Sequence, residues 1–401
     1  MRASSPTVVM VGAILCVGVT PALPAQERLV GPRVVSAAVS WQRWSFPTPI
    51  ASDSLQVTGV DQLSIPFSAS FTPLRNWQLD LSGAFASGTV SARSSAGASS
   101  ALLLTGATDM RIRATGRVVG EQLWLTLGVG LPTGRVGLSD EETAALQVIS
   151  APALRMTTPV LGSGTGLTVG GVFTPVIGRW AVGLGLSYER RATYSPLEAS
   201  LAGGGSVATE LDPADVVHLS LGLDRIVGQG RISVLLVADR YGTDIVTLQS
   251  PTGTAAAGTS YQLGPTLFAH WQYEVATPAL RQFRLFVSQR YRASFQDASG
   301  LSVAGSSGTA IDAGASATIG RARGVGVAVA LDGAYDTGLA VDETVATARM
   351  SGAALSLGLD ILVRRLVIRP YVRGSFHRID PGMGVVNARG MAGGIALRAE
   401  W

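Results

Sequence analysis

The sequence holds three histidines, His218, His270 and His377, and one cysteine, Cys16. Of the histidines, only His218 has a nucleophile at a useful spacing. Ser220 follows two residues later, on the same face if the segment is a strand. An imidazole next to a hydroxyl could begin acyl transfer, provided the base reaches the hydroxyl and a third group orients the base. A spacing of two along a strand meets the first condition loosely, and no Asn-bearing companion motif accompanies it. Catalysis of this kind, lipolytic in type, is therefore the remote alternative. No HExxH, Cys/His cluster or P-loop occurs, so neither a metal site nor a cofactor is expected. The segment 128–134, GVGLPTG, has the first two glycines of a nucleotide fingerprint but no helix carrying the rest.

The remaining groups with chemistry are charges, and they recur at alternate positions. Asp109, Arg111 and Arg113 form one such series, and Arg284, Arg290 and Arg292 form another. Glu189, Asp224, Asp332 and Asp360 stand singly, and Arg369 and Arg373 share one segment. Each alternates with apolar residues. In 180–191, Trp180, Val182, Leu184, Leu186 and Tyr188 alternate with Gly183, Gly185, Ser187, Glu189 and Arg191. In 217–224, Val217, Leu219, Leu221 and Leu223 alternate with His218, Ser220, Gly222 and Asp224. A period of two, apolar on one face and polar or tiny on the other, predicts half-buried strands.

The breaks between these strands follow a pattern. Short turns are expected at 73–77, 119–122, 176–179, 227–230, 276–280, 322–325 and 363–366. Longer connections are expected near 46–56, 92–103, 132–164, 192–210, 243–259, 296–308, 338–346 and 379–390. Short and long alternate strictly, as tight turns on one rim and longer loops on the other rim of a transmembrane barrel do. The reading is all-β: a transmembrane antiparallel β-barrel of about sixteen strands, with fourteen as the competing count. Closure follows from chemistry, because an open sheet edge in hydrocarbon leaves backbone groups unpaired. Within 138–149, LSDEETAALQVI breaks the β pattern. It predicts a short helix, capped by Ser139 or Asp140, in the longest loop.

Composition agrees. Hydrophobic residues make up 47% of the 401 positions and charged residues only 14%, against roughly a quarter charged in soluble domains. Every basic side chain is Arg, the formal net charge is +4, and no basic block exists. A nucleic-acid partner would need a clustered basic stripe, so none is expected. Residues 1–25 read as a secretory signal, with Arg2, an apolar core at 8–19 and a cleavage site after Ala25. Cys16 falls inside that core and reads as a hydrophobe. The domain is then 26–401.

If apolar faces meet lipid, the charged faces line the lumen, either as a register-fixing network or as a selectivity lining. Trp41, Trp77, Trp124, Trp180, Trp271 and Trp401, with Tyr188, Tyr291 and Tyr335, are placed for interfacial girdles. The last residues put Ile395, Leu397, Ala399 and Trp401 on one face. Such an ending resembles the sorting signal read by the barrel assembly machinery, an expected partner alongside outer-membrane lipid.

One stretch is more specific. Leu131, Pro132, Thr133 and Gly134 end a strand; Gly162–Ser163–Gly164 opens the next; Gly178–Arg179–Trp180 makes a hairpin; Tyr188 closes the strand that follows. This resembles the outer-membrane channel family named for the meta-pathway of phenol degradation. The resemblance implies a transporter for small molecules, hydrophobic ones included, and leaves the solute unknown. The expected location is the bacterial outer membrane, and the expected function is passage of small molecules, with 132–164 as a plug or lid. The alternatives are a structural or surface-binding barrel with a blocked lumen and, remotely, an outer-membrane lipolytic enzyme.

Overall fold

The computed structural model describes residues 33–400 apart from 52–54, 75, 95–96, 121, 201–205, 250–257, 278–279, 304–305, 323, 338–348 and 381–384. The expected signal segment 1–25 and Trp401 lie outside the described residues. In chain order the strands are β1 (Val34–Ala51), β2 (Leu55–Leu74), β3 (Trp77–Ser94), β4 (Ser99–Ala107), β5 (Met110–Val119) and β6 (Leu123–Leu131). A helix, α1 (Asp140–Ile149), precedes β7 (Gly166–Phe173), β8 (Val176–Ile177), β9 (Trp180–Arg191), β10 (Tyr194–Ser200) and β11 (Ser206–Asp212). Then follow β12 (Val216–Val227), β13 (Gly230–Tyr241), β14 (Thr243–Gln249), β15 (Thr259–Gln262), β16 (Thr266–Val275) and β17 (Leu280–Arg292). The chain continues through β18 (Gly308–Ala322), β19 (Val325–Thr337), β20 (Arg349–Val363), β21 (Leu366–Asp380) and β22 (Val386–Glu400).

Eighteen of these strands make one antiparallel sheet that closes on itself, β1 pairing with β22 from Val34↔Glu400 to Ser45↔Arg389. Two of its staves are interrupted. β3 pairs first with β4, from Arg93↔Ser99 to Phe85↔Ala107, and then with β5, from Ser82↔Arg111 to Trp77↔Gly116. β7 and β8 share β9 in the same way. The barrel therefore has sixteen staves, the count that the break pattern predicts.

The two faces differ as the period of two requires. Outward positions are large and apolar: Leu186, Leu219, Leu331, Leu357 and Val372 are all exposed. Inward positions on the same strands hold Ser187, His218, Asp332, Ser356 and Arg373. No described helix is long and apolar enough to cross a membrane, so the exposed apolar surface belongs to strands. On the outer face, Trp41, Tyr188, Tyr291 and Tyr335 are exposed, and Arg225 covers the Trp180 ring at 5.3 Å. Trp124 departs from the girdle expectation. It occupies an even position of β6, faces inward and is buried at 4%.

Several expected loops are strands. β1 and β2 run on to Ala51 and from Leu55, and β3 and β4 take up most of 92–103. Residues 192–210 and 243–259 contribute to a second, four-stranded sheet, β10–β11–β14–β15, which continues the staves β9, β12, β13 and β16. Beyond the apolar belt an outward position need not be apolar. Ser, Thr and Gly therefore stand there, and the alternation that marks a strand disappears while the backbone pairing continues.

Candidate functional site

Residues 132–164 fold into the barrel mouth rather than over it. Their two ends are joined at Asp109, which lies in the break between β4 and β5. Its Oδ1 accepts the Gly134 amide at 2.8 Å, and its Oδ2 accepts the Ser163 amide at 2.6 Å and hydroxyl at 3.0 Å. Thr133 Oγ1 accepts the Met110 amide at 2.8 Å. A Cβ on Gly134 would lie 2.5 Å from the Leu161 carbonyl oxygen and 2.7 Å from the Asp109 amide nitrogen. Only glycine fits this neck without a shift.

Inside, α1 begins with a capping box. The Glu142 amide donates to Ser139 Oγ, and the Ser139 amide donates to the Glu142 carboxylate. Of the two expected caps, Ser139 is the one used. Arg135 adds an ion pair to Glu142 at 2.6 Å. The helix sets Ala145 and Ile149 into an apolar core with Leu154, Met156 and Leu161. The wall contributes inward residues to that core: Trp44, Val60, Val90, Met350, Ile379 and Ala388. Ile149 fits over Gly88 of β3, where a Cβ would stand 2.5 Å from its Cδ1.

Polar contacts then carry the segment across the bore. Gln42 of β1 donates to the Leu154 carbonyl at 3.1 Å. Gln62 of β2 donates to the Thr158 carbonyl at 2.8 Å and accepts its amide at 3.1 Å. His377 of β21, its ring tilted by 44° against Trp44 with centroids 4.5 Å apart, bonds the Ala153 carbonyl through Nδ1 at 2.8 Å. Farthest out, Arg155 pairs with Asp312 of β18, and with Asp336 of β19 at 3.4 Å. In a ring of sixteen staves, the neck at β4 to β6 and the anchor at β18 and β19 face one another across the bore. Among the described residues, the recorded contacts of 139–158 fall on β1–β4, on β18–β22 and, above the barrel, on β10. The arc from β7 to β17 is left beside the inserted segment.

That arc and the lower wall carry most of the charges picked out by spacing. Arg113 pairs with Asp80 at 3.1 Å, Arg373 with Asp332 at 2.6 Å, and Arg369 with Asp360 at 2.9 Å. Asp224 binds Arg231 at 2.7 Å. Arg111, Glu189, Arg284, Arg290 and Arg292 also sit at inward positions. Asp109 does not line the lumen, because it holds the neck. The motif residues Leu131, Pro132, Thr133 and Gly134 build that neck. Gly178 makes the turn between β8 and β9 at φ +62°, and the Tyr188 hydroxyl donates to Asp215. On β22, Ile395 and Leu397 face outward and are exposed, with Ala399 on the same face. His218 has both ring nitrogens toward carboxylates, Nδ1 at 2.7 Å from Asp239 and Nε2 at 3.7 Å from Glu189. That geometry turns it away from the role of base for Ser220.

Sequence spacing missed Gln42, Gln62, Arg155, Asp312, Asp336 and His377. His377, named in the sequence only as one of three histidines, was the one available signal. No family model and no curated protein matches the chain. Among solved structures, a TodX monoaromatic hydrocarbon channel mutant resembles it with a TM-score of 0.46 and 7% identity, covering 92% of this chain and 90% of that one. A BenF-like porin from Pseudomonas fluorescens gives 0.46 and 9%, covering 92% and 98%. An outer membrane channel from Pseudomonas putida gives 0.36 and 9%, covering 96% and 100%. Likeness this slight says nothing of this chain's solute.

Proposed function

We propose that this chain is an outer-membrane β-barrel channel for small molecules, and that residues 132–164 set the width of its passage. The observation that carries this is the inserted segment itself. It is cored, capped and pinned at both sides of the bore, yet it rests on one arc of the wall. The exposed belt of Leu, Val and Phe needs lipid as its neighbour, and closure leaves no backbone edge to desolvate. Outer-membrane lipid and the barrel assembly machinery are then the partners, and nucleic acid is not among them. The inward charges Arg113, Asp224, Asp332, Asp360, Arg369 and Arg373 work first as matched pairs that hold stave to stave. The reading includes no catalytic step, since His218 is engaged by Asp239 and Glu189.

The apolar core between the segment and the wall favours a second reading, a barrel whose lumen is blocked. Refolded protein in planar bilayers separates the two. Discrete single-channel currents support passage, and a silent, correctly folded barrel supports blockage.

A further inference from the structure

The short turns make one rim of the barrel, the periplasmic rim in barrels of this kind. Between β8 and β9 the turn is Gly178–Arg179, enclosed by the pair Ile177↔Trp180. Between β12 and β13 it is Gly228–Gln229, enclosed by Val227↔Gly230. The first turn residue is left-handed in both, at φ +62° and +61°, a conformation glycine adopts without a clash. Between β20 and β21, enclosed by Val363↔Leu366, the turn is Arg364–Arg365. Arg364 holds the same left-handed position, at φ +56°. An L side chain there strains the backbone. Turn geometry asks for glycine, and the sequence places an arginine.

That arginine begins a consecutive pair at the edge of the lipid-facing wall. Arg364 and Arg365 are exposed, and neither is paired with a carboxylate among the described residues. The wall leading to them is apolar to its end, with Leu357, Leu359 and Val363 exposed on β20 and Val325 and Val327 exposed on β19. Acids are scarce here. Glu400, whose amide donates to the Arg365 carbonyl at 3.1 Å, has its carboxylate paired with Arg398. The sequence joining β18 to β19, GRARG at 320–324, brings two more arginines and no acid.

Cations at the end of a hydrocarbon-facing belt stand at the depth of lipid headgroups, and a guanidinium binds phosphate through paired N–H groups. The apolar residues beside the pair continue the lipid-facing belt, which favours a lipid over a protein as the occupant. We infer that Arg364 and Arg365 form a binding tip for an anionic phospholipid of the periplasmic leaflet. The guanidiniums hold its phosphate, and its acyl chains lie along Val363, Leu359 and Leu357. This deepens the channel reading and rests on its membrane barrel, not on passage.

Native mass spectrometry of the folded barrel in detergent reads the binding, with dioleoylphosphatidylglycerol and dioleoylphosphatidylcholine as probes. The anionic lipid should bind about five- to tenfold more tightly, each nearby arginine contributing about a factor of five. Arg365→Gln and Arg364→Gly should each lower its affinity about fivefold. Arg364→Gly also separates binding from folding, because glycine relieves the left-handed strain. Its urea midpoint should stand at or above that of the wild type while the lipid is lost. Arg378→Gln removes an exposed charge near the opposite rim and should leave lipid binding unchanged. Equal affinity for the two lipids overturns the inference, as does an Arg364→Gly variant that keeps the anionic lipid. An Arg378→Gln effect as large as that of Arg365→Gln overturns it too. Displacement of the lipid by inorganic phosphate at equal concentration would mark a free-anion site, and displacement by polyglutamate a site for an acidic protein; either result overturns the lipid assignment. A conducting barrel without the lipid preference removes the binding tip and keeps the channel. A silent barrel with that preference keeps the tip and removes the channel.

Discussion

At the scale of single residues, Asp109 and Arg155 hold the inserted segment in different ways. Asp109 is buried and takes three donors at the neck, so Asp109→Ala leaves two half-buried amides and a hydroxyl without their acceptor. Each such loss costs about 1–3 kcal/mol. The expected outcome is a lower urea midpoint for the closed barrel and new protease cleavage within 135–160, read on a gel. Arg155 is the far anchor, held by Asp312 and by Asp336, whose side chain is only 5% exposed. Arg155→Gln leaves the buried Asp336 and the half-buried Asp312 close together without their cation, a loss of roughly 1–3 kcal/mol. The segment should then detach from β18 and β19, giving frequent flicker in single-channel records where the wild type is quiet. Neither residue stood out in the sequence for this role. Arg155 finds its partners 157 and 181 positions away, and separations of that size leave no local pattern. Asp109 did stand out, but as the first member of an alternating series, which put it on the lumen face rather than in the break.

At the scale of elements, strands were legible where lipid dictates their outward face, and illegible above it. The period of two in 180–191 gives β9 to the residue, and that in 217–224 gives the central eight of the twelve residues of β12, because one face must be apolar and the other must not. The extensions of β1 and β2 and the sheet β10–β11–β14–β15 have no such constraint, so their Ser-, Thr- and Gly-rich sequences read as loop. Helix α1 was legible from its cap candidates, Ser139 or Asp140, and from the acids Glu141 and Glu142 in its first turn. Its docking site was not, because Gly88 looks like any other small inward residue. That fit is testable. Gly88→Val places branched carbons where the Ile149 Cδ1 sits and should expel the helix, raising conductance while the barrel stays closed. Ile149→Ala removes the knob instead and should cost about 3 kcal/mol of docking, seen as faster cleavage within α1. If both variants keep the wild-type cleavage pattern and current, α1 is not docked as described.

At the scale of the whole molecule, sixteen staves enclose more room than their own side chains fill, and this chain fills part of it with a segment of its own backbone. The sequence motif at Leu131–Gly134 and the one at Gly162–Gly164 read as two separate strand ends. In the fold they are the two sides of one neck, brought together by Asp109, and that meeting depends on closure of the entire wall. The most direct measurement is therefore the single-channel conductance of the wild type against a variant lacking residues 136–160, joined so that Gly134 and Ser163 still reach Asp109. With both barrels shown to be closed by heat-modifiable mobility, the shortened chain is predicted to carry a several-fold larger current than the wild type. Equal currents from the two would contradict the account, because the inserted segment would then have no part in setting what passes.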